Sequence, residues 1–338
     1  MGFHRRLAPS GFNRGAGAAL CALSAAAAAL GAVPASAAPR GHTRAEVDRL
    51  YQQAEEATEA YNKAGERAGA LRREVNDAQD RIARSQQSVN TMRDALGSLA
   101  GAQYRSGGVD PTVALLFSED PEDYLDRASL IDRIDVRQAD RLRELQEALR
   151  ELSQERSEAA DKLTELERSR RAVASHKATV ERKLASARRL LATLPAADRA
   201  AFAHASRGDD RAALPDLSGA TAPDGRAAAA VAAARAALGR PYVWGASGPT
   251  GFDCSGLMQW SYAHAGIHLP RTSQEQRHAG HQVPLSQAQP GDLVVYRSDA
   301  SHVGMYVGNG QVIHAPYPGA PVRYDPVGMM PVSSVTRP

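Results

Sequence analysis

Three side chains in the last third of this 338-residue chain have the types needed for nucleophilic acyl chemistry: Cys254, His302 and His314. Cys254 follows Phe252-Asp253 and precedes Ser255-Gly256-Leu257, and the apolar residues Leu257, Met258 and Trp260 recur at helical spacing. That pattern predicts a helix opening at Cys254, with Asp253 as its cap. Amide hydrogens at a helix start favour the thiolate, so the sulfur is expected to be activated as a nucleophile. Ser301-His302-Val303-Gly304-Met305-Tyr306-Val307 alternates like a strand with one buried face, which puts His302 at a strand start, where it can serve as the base toward Cys254. His314 follows across the Asn309-Gly310 turn and can hold the base imidazole in the correct tautomer. The same types can bind zinc, with Cys254, His302 and His314 as ligands of a catalytic site, or closed by His278 or His281. No short paired ligand motif accompanies them, so the expectation is no metal and no other cofactor.

The other cysteine sharpens the case. Cys21 lies in an opening stretch that carries Arg5, Arg6 and Arg14, an apolar run from Gly15 to Val33, and then Ala35-Ser36-Ala37. That order reads as a secretory signal over residues 1–37. Its removal leaves Cys254 as a lone thiol in an oxidising compartment, where cysteines are normally paired, and a lone thiol there asks for a chemical reason. Lys+Arg number 41 against Asp+Glu 38, a net charge of +3, and 43% of residues are hydrophobic. A charge-dominated nucleic-acid binder and a polytopic membrane protein are both excluded.

The elements that must position these groups follow from periodicity. From Val47 to Leu99, and again from Leu142 to Leu194, mostly apolar residues recur in steps of three and four, a seam that cannot face water alone. Gly107-Gly108 and Asp110-Pro111 break the first series and Pro121 opens the second. A long antiparallel helical hairpin, a coiled coil over 42–194 with its tip near 104–121, is the simplest geometry. Arg156, Arg170 and Lys177 interrupt the second stripe, and the step from Gln138 to Leu142 breaks its register, where a bend or unwinding is expected. A glycine- and proline-rich linker occupies 195–225. Residues 226–338 then read as an α+β domain with helices over Ala227–Leu238 and Cys254–His264 and strands over Asp292–Arg297, His302–Val307 and Gln311–His314.

Taken together, Tyr242-Val243-Trp244-Gly245, Asp253-Cys254-Ser255-Gly256-Leu257, Arg271-Thr272-Ser273, Pro290-Gly291-Asp292-Leu293, Ser301-His302-Val303-Gly304 and Ile313-His314-Ala315 resemble the NlpC-type peptidoglycan endopeptidases of the papain-like clan. The resemblance covers about Ala227 to Arg337. It implies a papain-like catalytic domain in which Cys254 is the nucleophile, His302 the base and His314 the orienting residue. Tyr242 then contributes to the oxyanion pocket or an adjacent subsite, and Asp253 and Ser255 bind a substrate amine. It further implies a secreted, cell-wall-associated cysteine peptidase cutting peptidoglycan stem peptides, typically between γ-D-glutamyl and a diamino acid, with no nucleic-acid partner. The helical hairpin is similar to those of secreted, division-linked members, which suggests that it covers the active-site groove or docks on a membrane-bound activating complex. Two other readings use the same residues: an acyl or amide transferase working through a Cys254 thioester, and a non-enzymatic coiled-coil scaffold with a wall-binding module.

Overall fold

The seven-residue seams lie on two long helices, α1 (Arg40–Arg105) and α2 (Pro121–Thr193). The computed structural model describes residues 40–105, 121–199 and 224–338, with positions 113, 117 and 222. The segment read as a secretory signal, most of the expected hairpin tip and most of the linker lie outside the described residues. Val47, Leu50, Ala54 and Ala57 of α1 bury against Val180, Leu184 and Ala187 of α2. Farther along, Leu71 and Val75 meet Leu166. Numbers rise on one helix as they fall on the other, so the arms run antiparallel. Lys183 donates to Gln53 (2.7 Å), Arg67 to Glu165 (2.9 Å) and Arg156 to Gln86 (2.5 Å), cross-linking the pair. Exposed links of this kind add little stability, which comes instead from the buried seam. The expected unwinding between Gln138 and Leu142 does not occur, because α2 continues through it. The register break is absorbed by leaving Ile134, Val136 and Leu142 exposed.

The C-terminal part is an α+β domain. α3 (Gly225–Ala236) begins two residues earlier than its apolar pattern suggests, because the Asp224 side chain accepts from the Ala227 amide and caps it. α4 (Cys254–His264) has the expected bounds and the expected cap, Asp253. A single turn, α5 (Ser273–Gln276), follows.

Six strands form one antiparallel sheet, β1 (His281–Val283), β2 (Leu293–Tyr296), β3 (His302–Gly308), β4 (Gln311–His314), β5 (Arg323–Pro326) and β6 (Val332–Arg337), in the order β1-β6-β2-β3-β4-β5. Leu257 and Met258 of α4 share a core with Val303, Met305 and Ile313 of the central hairpin. Asn309 (φ 51°) and Gly310 (φ 70°) both adopt the left-handed backbone of a two-residue turn, which fixes the register between β3 and β4. The sequence pattern anticipates β2, β3 and β4. The other three strands are largely half-exposed or exposed, without a buried-exposed alternation to mark them.

Candidate active site

Cys254 opens α4 and is almost wholly buried. The glycine two residues on is required by packing: a Cβ at Gly256 would collide with the Ala246 carbonyl oxygen. Beside the thiol, the Asp253 carboxylate is the hub of a buried cluster. It accepts from Gly256 N–H (2.7 Å), Gly245 N–H (2.9 Å), Arg271 Nη1 (3.0 Å) and Arg271 Nη2 (2.6 Å). Arg271 Nη1 also donates to Ser255 Oγ at 3.0 Å. The two-pronged guanidinium contact fixes direction as well as charge.

The imidazoles sit on the central hairpin. His302, at the first residue of β3, pairs in register with Tyr296 of β2. His302 Nε2 lies 2.8 Å from His314 Nδ1 at the end of β4. Gly304 makes that approach possible, since even a Cβ at this position would come to 3.2 Å from the His314 Cβ. His314 Nε2 in turn reaches Asp325 Oδ2 of β5 at 2.7 Å, and Arg323 Nε donates to the same oxygen at 2.7 Å. His302 Nδ1 makes no hydrogen bond.

A stripe of α1 closes over these groups. Glu55, Glu59 and Asn62 recur at i, i+4 and i+7 on one helix face and are all buried. Glu59 Oε1 accepts from Ser255 Oγ (2.8 Å) and lies 3.8 Å from the Cys254 sulfur, while its Oε2 accepts from Ser273 N–H (2.7 Å). One turn earlier, Glu55 Oε1 is 3.6 Å from His302 Nδ1 and Oε2 accepts from Arg297 Nη1 (2.5 Å). Asn62 Nδ2 donates to Asp253 Oδ2 at 3.1 Å. Tyr51 stacks on Tyr317, and Tyr61 meets Trp244 edge-on. The thiol and the free nitrogen of His302 thus face successive turns of one helix.

Burial sets the charge states. Desolvation pushes Glu55 up to about 7 despite Arg297, and pushes Glu59 to about 7 with Asp253 adding repulsion. Cys254 is raised well above its ordinary value, by burial first and then by Glu59, Asp253 and Glu55. The Ser255 amide opposes that shift but is outweighed. The expected activation by the helix start is therefore reversed in this closed arrangement, and the sulfur is held as a thiol. His302 is lowered well below its ordinary value by burial, then by His314 and Arg297, so it is neutral. Burial also lowers His314, with Asp325 opposing. For Asp325, burial is outweighed by the hydrogen bond to His314 and the charges around it, and its carboxyl stays below the usual range.

All six residues singled out by sequence fall around this one site. Tyr242 is buried there, and desolvation, with Cys254 and the carboxylates nearby, raises its phenol, which stays protonated. Asp253 and Ser255 lie under α1 with their polar atoms engaged by Arg271, Asn62 and Glu59. Five further residues carry the site without having been assigned a role in it from sequence: Glu55, Glu59, Asn62, Arg271 and Asp325. Among the described residues no group of three or more His, Cys, Asp or Glu side chains is arranged to hold a metal ion. The facing nitrogens of His302 and His314 are instead spent on each other.

Residues 239–335 match the NlpC/P60 family. A probable endopeptidase of Mycobacterium tuberculosis is 48% identical over 108 residues, 31% of this chain and 28% of the relative. The crystal structure of the P60 domain of an M. avium subspecies paratuberculosis antigen is 36% identical and covers 33% of this chain and 93% of that one, with a TM-score of 0.32. A peptidoglycan hydrolase of M. tuberculosis is 34% identical, covering 33% of this chain and 64% of that one, with a TM-score of 0.31. The chain thus spans less than a third of the length of the curated mycobacterial relative.

Proposed function

Since residues 239–335 make this chain a member of the NlpC/P60 family, we propose that it is a latent, exported cysteine endopeptidase of the cell wall, hydrolysing peptidoglycan stem peptides between γ-D-glutamyl and a diamino acid through a Cys254 thioester. The observation that carries this reading is that Cys254 and the free nitrogen of His302 face successive turns of α1, met there by Glu59 and Glu55. Withdrawal of α1 would expose both groups to one substrate.

In that open form His302 Nδ1 takes the thiol proton and the thiolate attacks the scissile carbonyl. The Cys254 amide and the Tyr242 hydroxyl stabilise the oxyanion in this scheme. The His302 imidazolium gives its proton to the departing amine, leaving a thioester. Water then loses a proton to His302 as it attacks, and the acid product leaves with the thiol restored. Asn62 donates to Asp253, where the family resemblance puts a substrate amine, so α1 satisfies the groups a stem peptide would use. A membrane-bound complex engaging the helical pair would supply the force for withdrawal.

The test is digestion of purified peptidoglycan by the full chain, with and without Glu59→Ala to loosen α1, followed by mass analysis. Cleavage that gains one water and disappears in Cys254→Ala supports the reading. Turnover retained in Cys254→Ala, or products carrying an acyl adduct in place of water, would overturn it.

A further inference from the structure

The base of this site has a second imidazole behind it and a carboxylate behind that. We propose that Asp325 is a positioning residue that fixes the tautomer of His302 through His314, so that Nδ1, the nitrogen met by Glu55 of α1, is the proton-accepting one; the proposal rests on the peptidase reading above for its chemical purpose.

The Asp325 carboxylate, held by Arg323 Nε, can only accept. His314 Nε2, 2.7 Å from Asp325 Oδ2, must therefore carry a hydrogen. A neutral His314 is left with a bare Nδ1. His302 Nε2, 2.8 Å away, must then donate to it. A neutral His302 with its hydrogen on Nε2 has its lone pair on Nδ1, the one nitrogen of the pair without a hydrogen-bond partner and the one that Glu55 approaches. Burial lowers both rings, His302 most, and so favours the neutral form of each.

Strand geometry holds the relay in place. Arg323 pairs in register with His314, and Val312 with Asp325, so Asp325 lies one diagonal step from His314 on the same face. When His302 accepts the proton of Cys254, its Nε2–H is already directed at His314, and the negative charge of Asp325 offsets the new positive charge across that ring. An imidazole alone in this place would orient His302 equally well by either tautomer. The carboxylate removes the choice.

The experiment is nitrogen-15 histidine NMR on the full chain, reading which ring nitrogen of His302 and of His314 is protonated, together with the pH profile of Cys254 alkylation. The wild type is expected to show hydrogen on Nε2 and a bare Nδ1 in both rings. Asp325→Ala should give mixed tautomers at both. Asp325→Asn, whose oxygen is kept toward His314 by the Arg323 Nε donor, should preserve the tautomers but, lacking the charge, move the rise in alkylation to higher pH, slowing it by about 10-fold near neutrality for a shift of one pKa unit. Asp325→Glu should restore part of the rate. A wild-type His302 protonated on Nδ1 would overturn the proposal whether or not any variant folds. Alkylation profiles and tautomers that ignore all three substitutions would overturn it as well. The tautomers are read without substrate, so a chain with the expected tautomers that cuts no peptidoglycan would sink the peptidase reading and leave the role of Asp325 standing.

Discussion

Glu59 of the first long helix lies with Oε1 3.8 Å from the Cys254 sulfur, although 195 residues separate the two in sequence. The same carboxylate takes hydrogen bonds from Ser255 Oγ and the Ser273 amide, so it occupies the polar floor beside the nucleophile. Glu55, Arg297 and His302 repeat the arrangement one turn away. The helix covers the site with polar contacts shaped to the site's own donors, and polar contacts can be exchanged for substrate or weakened by charge.

The first consequence is that access to Cys254 is set by α1. Hydrogen bonds to a charged group contribute about 1.5–3 kcal/mol each. Replacing Glu59 by Ala while removing Asn62 should therefore raise the alkylation rate of Cys254 in the full chain by at least about 10-fold near neutral pH. Mass spectrometry of a thiol-labelling time course measures it. An unchanged rate would mean that the helix does not gate the thiol.

A second consequence concerns pH. Glu55 and Glu59 bind protons more tightly when buried, with values of about 7 against 4.5 when free. Closure is therefore most favoured below about 4.5, loses ground as pH rises, and carries its full penalty above about 7. Exchange of the α1 amides around residues 55–62, corrected for intrinsic exchange, should accelerate between pH 5 and 8. The double substitution Glu55→Gln and Glu59→Gln removes both titrations and should flatten that dependence while leaving α1 seated.

What was legible in the sequence, and what was not, follows from the kind of signal each residue leaves. Cys254 and His302 stand at the starts of elements whose apolar periodicity is strong, and α4, β2, β3 and β4 were readable for that reason. The apolar seam of α1 records only the face turned to α2. The face turned to the site, with Glu55, Glu59 and Asn62, is polar and looks like an ordinary solvated surface. Asp325 sits on a short, half-exposed strand with no alternation to announce it. The activation of Cys254 expected from its helix start was outweighed first by burial and then by carboxylates, two of which, Glu59 and Glu55, are brought from nearly 200 residues away, which no local pattern encodes.

Arg271 offers a test of the floor of the site. It is largely buried and donates to both oxygens of the buried Asp253 and to Ser255. Arg271→Met would keep much of the volume but leave the Asp253 charge without its partner, a loss of about 3–5 kcal/mol. Urea unfolding of the full chain should show the corresponding fall in midpoint for the C-terminal domain. Arg271→Lys should recover only part of it, because an ammonium cannot reproduce the two-pronged contact.

Gly304 separates folding from chemistry. It lies on β3 between the two histidines, and a methyl there would come within 3.2 Å of the His314 Cβ, close enough to push that side chain by a few tenths of an ångström. Overpacking of this size costs about 1 kcal/mol, which an α+β domain of this size should survive. The 2.8 Å contact between His302 Nε2 and His314 Nδ1 has much less tolerance. Gly304→Ala is therefore expected to fold, to keep its melting temperature within a few degrees, and to lose at least about 10-fold in peptidoglycan turnover in the Glu59→Ala background. A stable variant with undiminished turnover would show that the spacing of the two rings does not limit the reaction.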